Sequence, residues 1–254
     1  MYLYEQVKQL YVICKSQGTY SRFSYIVNPE KRVLYLINAK VASSSIKASV
    51  LKLENPEYHR NYNKIHTEAL QWTKYIKSKK QFLKDYRRYF KFAFVRNPYE
   101  RLVSCYENKY HTDKRAVGKT LSEFQFDSYP FGFLKKDKGF SNFVFRICLI
   151  PDRFADEHFR SQYFQLYTQD GKCLANYVGH YENIEKEYEP IRQKYDFGQL
   201  SHYNKATKGN WQNYYNPITA WLVYKRFKKD FVQFGYEGEY GKLCDYMKSH
   251  KKKR

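Results

Sequence analysis

Residues Val33–Lys47, VLYLINAKVASSSIK, pass from an apolar run through small and hydroxylated residues into helical spacing. Val33-Leu34-Tyr35-Leu36-Ile37 is short and dense enough for a buried strand. Beyond Asn38 the turn Ala39-Lys40-Val41-Ala42-Ser43-Ser44-Ser45 leads to Ile46, Val50 and Leu53 at helical spacing, so the segment is predicted to be strand, loop, helix. Unpaired N–H groups and the positive end of the helix dipole meet at such a turn and favour an anion. Lys40 adds a mobile charge and the serines add donors. A helix N-capped by serine, with no ligand, explains the same residues equally well on this segment alone. A Walker A loop does not: no glycine lies between Val33 and Lys47, and the Gly-Lys-Ser/Thr ending is missing.

A second stretch, Lys91–Tyr110, KFAFVRNPYERLVSCYENKY, repeats the pattern. Phe92–Val95 reads as another buried strand, Arg96 stands at its end, and Pro98 pre-sets the first turn of a helix carrying Leu102, Val103 and Tyr106. Ser104 lies eight residues beyond Arg96, about two helical turns on, where its hydroxyl could share a phosphate with the guanidinium. Two such units imply an α/β fold, a single domain with a central parallel sheet flanked by helices and a nucleotide at the carboxyl ends of the strands. Residues Pro217–Phe234, preceded by Asn216, have the spacing of a late amphipathic helix.

These motifs resemble those of the sulfotransferases that use 3′-phosphoadenosine 5′-phosphosulfate (PAPS), most closely the carbohydrate sulfotransferases of the Golgi chondroitin type and their bacterial relatives. Ala39–Ser45 looks like the P-loop-like 5′-phosphosulfate loop of that family, with alanine in place of its usual proline. Arg96-Asn97-Pro98-Tyr99-Glu100-Arg101-Leu102-Val103-Ser104 looks like its 3′-phosphate motif. Gly179-His180-Tyr181-Glu182-Asn183-Ile184-Glu185 resembles the segment whose tyrosine lies near the adenine. Asn204-Lys205-Ala206-Thr207-Lys208-Gly209-Asn210-Trp211 resembles a loop that closes over the 3′-phosphate in cytosolic relatives, although Asn204 and Ala206 depart from it.

The resemblance implies transfer of a sulfuryl group from PAPS to a hydroxyl of a glycan, without a metal. Lys40 is the implied catalytic cation, and Lys40, Val41, Ala42, Ser43, Ser44 and Ser45 the implied phosphosulfate ligands. Arg96, Ser104, Tyr181, Lys205 and Ala206 complete the nucleotide set. The acceptor hydroxyl needs a base. His66 is the first choice, from the Lys-Thr-His element of cytosolic relatives; His158 is the rival, from a His-aromatic-x-x-Gln element in carbohydrate relatives, and a carboxylate remains a third option. Arg160 and Gln162 are the implied acceptor contacts. Acceptor specificity is expected within residues 114–151. The domain plan is an N-terminal extension (1–30), a sulfotransferase domain (31–238) and a basic tail (239–254), with the lysines at its end expected to be disordered.

Composition fits one enzyme domain. The 254 residues carry no linker, repeat or low-complexity block, and 43% hydrophobic and 20% aromatic content supplies a core. Mean hydropathy is −0.82, no apolar run approaches ~20 residues, and no signal peptide is visible. A cytoplasmic, bacterial-type enzyme is expected, at most peripheral to a membrane, or else a piece of a Golgi-lumenal protein. Five cysteines with no C-x-x-C pair read as reduced thiols, and no cluster has metal-ligand spacing. Lys and Arg outnumber Asp and Glu 46 to 25, a net charge of +21. That balance suits a nucleic-acid binder, yet the basic residues are scattered and no recognition motif organises them. A polyanionic cofactor and an acidic capsular or glycosaminoglycan-like acceptor fit better. A nucleotide-dependent kinase is disfavoured, since neither a Walker lysine nor a Mg²⁺-binding acid is identifiable.

Overall fold

A computed structural model describes residues 23–55, 58, 61, 63–110, 133–134, 139–201 and 210–251. In chain order the first elements are β1 (Phe23–Asn28), β2 (Val33–Leu36), α1 (Ser43–Val50), α2 (Asn63–Ala69), β3 (Thr73–Ile76), α3 (Lys79–Asp85) and β4 (Phe90–Val95). They are followed by α4 (Pro98–Cys105), α5 (Gly139–Cys148), α6 (Gln162–Leu166), β5 (Tyr177–His180), α7 (Ile184–Lys194), α8 (Pro217–Arg226), α9 (Lys228–Gln233) and α10 (Glu239–Lys251). The described residues belong to two compact units, one drawn from 23–96 and 162–201, the other from 97–161 and 210–251.

The first unit holds a five-stranded sheet of order β3-β1-β2-β4-β5. Its inner strands are the two apolar runs: β2 is buried at every position and β4 from Lys91 onward. Such continuous burial belongs to strands covered on both faces. The parallel pairs β2–β4 and β4–β5 run in register from Val33 opposite Phe90 to Val95 opposite His180, so these strands end on the same side of the sheet. The expectation of a parallel sheet is corrected at its other half: β1 runs antiparallel to both β2 and β3, making the sheet mixed. The cause is connection length. Only the turn at Pro29–Arg32 joins Asn28 to Val33, closed by the Lys31 N–H to Asn28 Oδ1 at 2.9 Å, whereas a parallel crossover needs a dozen residues or more.

One apolar cluster unites the strands with the helices that cover them, including Tyr35, Val41, Ile46, Phe92, Phe94, Tyr188 and Ile191. Ser49 on α1 and Tyr188 on α7 add a buried hydroxyl pair at 2.8 Å. At Gly179 on β5 a Cβ would stand 2.5 Å from the Phe94 ring and 2.9 Å from the Glu187 carboxylate. Only glycine fits there.

In the second unit Tyr99 is the hub. Its hydroxyl donates to the Ala220 carbonyl at 3.0 Å, its own carbonyl accepts from the Tyr215 hydroxyl at 2.9 Å, and its ring stacks on Trp211. The late helical stretch is two helices, α8 and α9, separated at Phe227; α8 starts with Pro217 and a capping box between Asn216 and Thr219. Most of the stretch set apart as a tail is helix α10, anchored by buried Leu243 and by Asn97 Nδ2 donating to Glu239 at 2.7 Å. Strand β1 likewise falls within the stretch assigned to an N-terminal extension.

Candidate active site

The turn after β2 holds its backbone in an uncommon shape. Lys40 (φ 67°) and Ala42 (φ 57°) both lie in the left-handed region, which costs a non-glycine residue about 1–3 kcal/mol and persists where packing over-determines it. Val41 between them is fully buried, so the core supplies that constraint. Ala42 is the N-cap of α1 and no side chain caps the helix. The serine cap weighed from the sequence is therefore not formed: Ser43, Ser44 and Ser45 occupy the first helical turn. The first-turn N–H groups, the dipole of α1 and the Lys40 ammonium make a set composed of donors and positive charge.

Arg96 adds to that set from the end of β4. It is 4% exposed, its Nη1 donates to the Lys40 carbonyl at 3.2 Å, and its guanidinium lies 4.1 Å from the centre of the Tyr181 ring. Three neighbouring parallel strands thus deliver the Ala39–Ser45 turn, Arg96 and Tyr181 at one edge, as expected where an α/β sheet binds a ligand. Glu187 on α7 fixes the third of these. Its carboxylate accepts from the His180 amide at 2.9 Å and from the Tyr177 hydroxyl at 3.0 Å.

Gln162 holds the strand ends together. Its Oε1 accepts from the Arg96 N–H at 2.9 Å and from Asn38 Nδ2 at 3.0 Å, and its Nε2 donates to the Arg96 carbonyl at 2.8 Å. Asn38 also donates to the Phe94 carbonyl at 3.1 Å and accepts from Gln165 at 3.0 Å. Every polar atom of the buried Gln162 amide is thereby engaged with protein, which makes it a clamp on the ends of β2 and β4. Arg160, expected as an acceptor contact, is fully buried too. Its guanidinium donates to the Asp152 and Ala155 carbonyls, and its carbonyl accepts from Arg101 at 2.8 Å.

The two candidate bases have opposite surroundings. His66, on α2, places Nε2 2.9 Å from Ser44 Oγ and Nδ1 3.2 Å from the Lys47 ammonium. His158, in the other unit, places Nδ1 2.6 Å from Asp156 Oδ1, which also accepts the His158 amide at 2.9 Å. Burial alone would raise the Asp156 carboxyl. The imidazole and amide of His158, with Arg160 nearby, more than reverse that and hold it below the usual carboxylate range. A buried carboxylate on Nδ1–H makes Nε2 the basic nitrogen, the arrangement of a general base.

Ser104 sits half-buried on α4 in that other unit, while Lys205 and Ala206 lie outside the described residues, as does most of 114–138. Sequence reasoning missed Asp156, Glu187, Asn38 and the clamping role of Gln162. Of these only Asp156 left a signal, a carboxylate two residues before a candidate histidine.

Known proteins point the same way as this geometry. A family model described as "Sulfotransferase family" matches residues 23–237. The chain belongs to the sulfotransferase family. Carbohydrate sulfotransferase 12 of Xenopus laevis is 24% identical to it over 209 residues, covering 72% of this chain and 47% of that protein. The mouse (Mus musculus) carbohydrate sulfotransferase 12 is 25% identical over 206 residues, covering 72% and 48%. Carbohydrate sulfotransferase 11 of the same species is 25% identical over 234 residues, covering 83% and 66%. The chain therefore spans about half the length of the first two relatives. No solved structure matches it. Among the described residues no helix is long and apolar enough to cross a membrane.

Proposed function

We propose that this chain transfers the sulfuryl group of PAPS to a hydroxyl of a carbohydrate. The observation that carries the reading is the convergence of the strained, uncapped Ala39–Ser45 turn, buried Arg96 and Tyr181 at the carboxyl ends of three adjacent strands. The first-turn amides, the serine hydroxyls, Lys40 and Arg96 together supply donors and positive charge, the chemistry that suits a phosphate or sulfate anion. The names of the relatives support a carbohydrate acceptor, and the net charge of +21 supports an acidic one, capsular or glycosaminoglycan-like.

PAPS supplies the sulfuryl group and a phosphate leaving group. Lys40, with the first-turn amides of α1 and Ser43, Ser44 and Ser45, holds the 5′-phosphosulfate and meets the negative charge that grows on the bridging oxygen as its bond to sulfur breaks. Arg96 reads the 3′-phosphate and Tyr181 sits with the adenine; Ser104, Lys205 and Ala206 join this set on the sequence motifs alone. The acceptor oxygen bonds to sulfur as its proton passes to a base. The motifs nominate His66 and His158 for that base; by the chemistry of its Nδ1 partner, Asp156, His158 suits the role better than His66, whose Nδ1 faces an ammonium.

Isothermal titration tests the nucleotide reading. 3′,5′-ADP should bind far more tightly than 5′-AMP, because each charge-assisted bond to the 3′-phosphate is worth about 1.5–3 kcal/mol. Equal affinities would sink the assignment. Salt-sensitive binding of duplex DNA with no nucleotide effect would favour the nucleic-acid reading instead. Radiolabelled PAPS offered with capsular and glycosaminoglycan oligosaccharides then identifies the acceptor class.

A further inference from the structure

We propose that His66 is a positioning residue, locked by Lys47 as the Nε2–H tautomer so that it orients the hydroxyl of Ser44. The inference rests on reading the Ala39–Ser45 turn as the phosphosulfate site. It changes what His66 does there.

A lysine ammonium has donors only, so the nitrogen 3.2 Å from Lys47 Nζ must offer its lone pair. That nitrogen is Nδ1, which leaves the proton of the neutral ring on Nε2. Nε2–H then donates to Ser44 Oγ across 2.9 Å. A serine hydroxyl that accepts on one lone pair turns its own O–H elsewhere, and in the first turn of α1 it is held among the donors of the anion-binding turn. Ser44 and Lys47 are three residues apart on α1 and share a face, so a single ring on α2 can engage both. In this state both ring nitrogens are committed, one as acceptor and one as donor. A base would need the Lys47 bond to break first.

Three measurements on the whole chain test the proposal. Long-range ¹H–¹⁵N imidazole spectra at neutral pH should show His66 as the Nε2–H tautomer, and Lys47→Met should erode that preference. An Nδ1–H tautomer or an imidazolium overturns the assignment. Second, adenosine 5′-phosphosulfate, which carries the 5′ group without the 3′-phosphate, should bind about tenfold more weakly to Ser44→Ala and to His66→Ala, the low end for a hydrogen bond to a charged group. The double variant should be no worse than Ser44→Ala, since the two act as one unit; additive losses overturn the coupling. Third, His66→Gln keeps an N–H but no basic lone pair. It should restore most of what His66→Ala loses, with the acidic limb of the kcat/KM profile intact, whereas a base would be lost equally in both variants. Wild-type protein that binds neither this probe nor 3′,5′-ADP would overturn the sulfotransferase reading itself, and the role of Ser44 with it.

Discussion

His66 and His158 are the same side chain in contrasting electrostatic settings. The first packs between a serine hydroxyl and a lysine ammonium, the second against a buried aspartate. An ammonium on Nδ1 uses up a lone pair, while a carboxylate on Nδ1 pins a proton and makes the opposite nitrogen basic. The difference shows that residue type and chain position nominate a base, and that the partner on the far nitrogen selects among the nominees.

The strongest way to break this contrast is to remove each ring. His158→Ala should lower kcat by about 10²–10⁴, the usual contribution of a general base, and leave 3′,5′-ADP affinity nearly unchanged. Its pH profile should lose the acidic limb, and near-normal turnover in a folded His158→Ala protein would return the role to His66 or to a carboxylate. A second test sharpens the nucleotide side of the comparison. Arg96→Ala should cost 3′,5′-ADP about 10- to 100-fold in affinity, the equivalent of one charge-assisted bond, while 5′-AMP changes little. If both nucleotides weaken alike, Arg96 shapes the turn through Lys40 and does not read the 3′-phosphate.

The smallest effect separates the two environments by stability. Both Asp156 and Asp152 are held below the usual carboxylate range although burial opposes it. His158 is responsible for the first, and Arg226 at 2.7 Å with Ser161 for the second. Because the folded value lies below the unfolded one, their stabilisation is present above about pH 3.9 and is lost as pH falls through the folded value. Asp152→Asn should therefore cost about 1–3 kcal/mol near neutrality and flatten the acid limb of a thermal-melting series. A melting temperature that follows pH identically in wild type and variant would remove the linkage.

Much of the first unit, and the start of α4 in the second, was legible in sequence. Dense apolar runs identified β2 and β4, Pro98 marked the start of α4, and the Tyr181 segment entered α7 as expected, through a short 3₁₀ turn. These are local signals, set by hydrophobic spacing and by residues with restricted backbones. The antiparallel half of the sheet was missed because strand direction follows from how the Asn28–Val33 turn closes, which the apolar pattern of β1 does not encode. Arg160 and Gln162, nominated as acceptor contacts from a family motif, are both buried and bonded to the protein, which the motif's spacing does not encode.

The sequence by itself determined that the chain carries two strand-loop-helix units, a turn of small and hydroxylated residues with Lys40 and a strand-end arginine, and with them the sulfotransferase resemblance. Only the tertiary structure decided that Gln162 ties β2 to β4, that Glu187 sets the approach to Tyr181, that Ala42 leaves α1 without a side-chain cap, and which histidine meets a carboxylate. Asn38 and Gln162 are 124 residues apart in the chain and 3.0 Å apart in the fold. Hydrogen-bond partners at that separation are set by how the sheet and its helices pack, and no local spacing in the sequence records them.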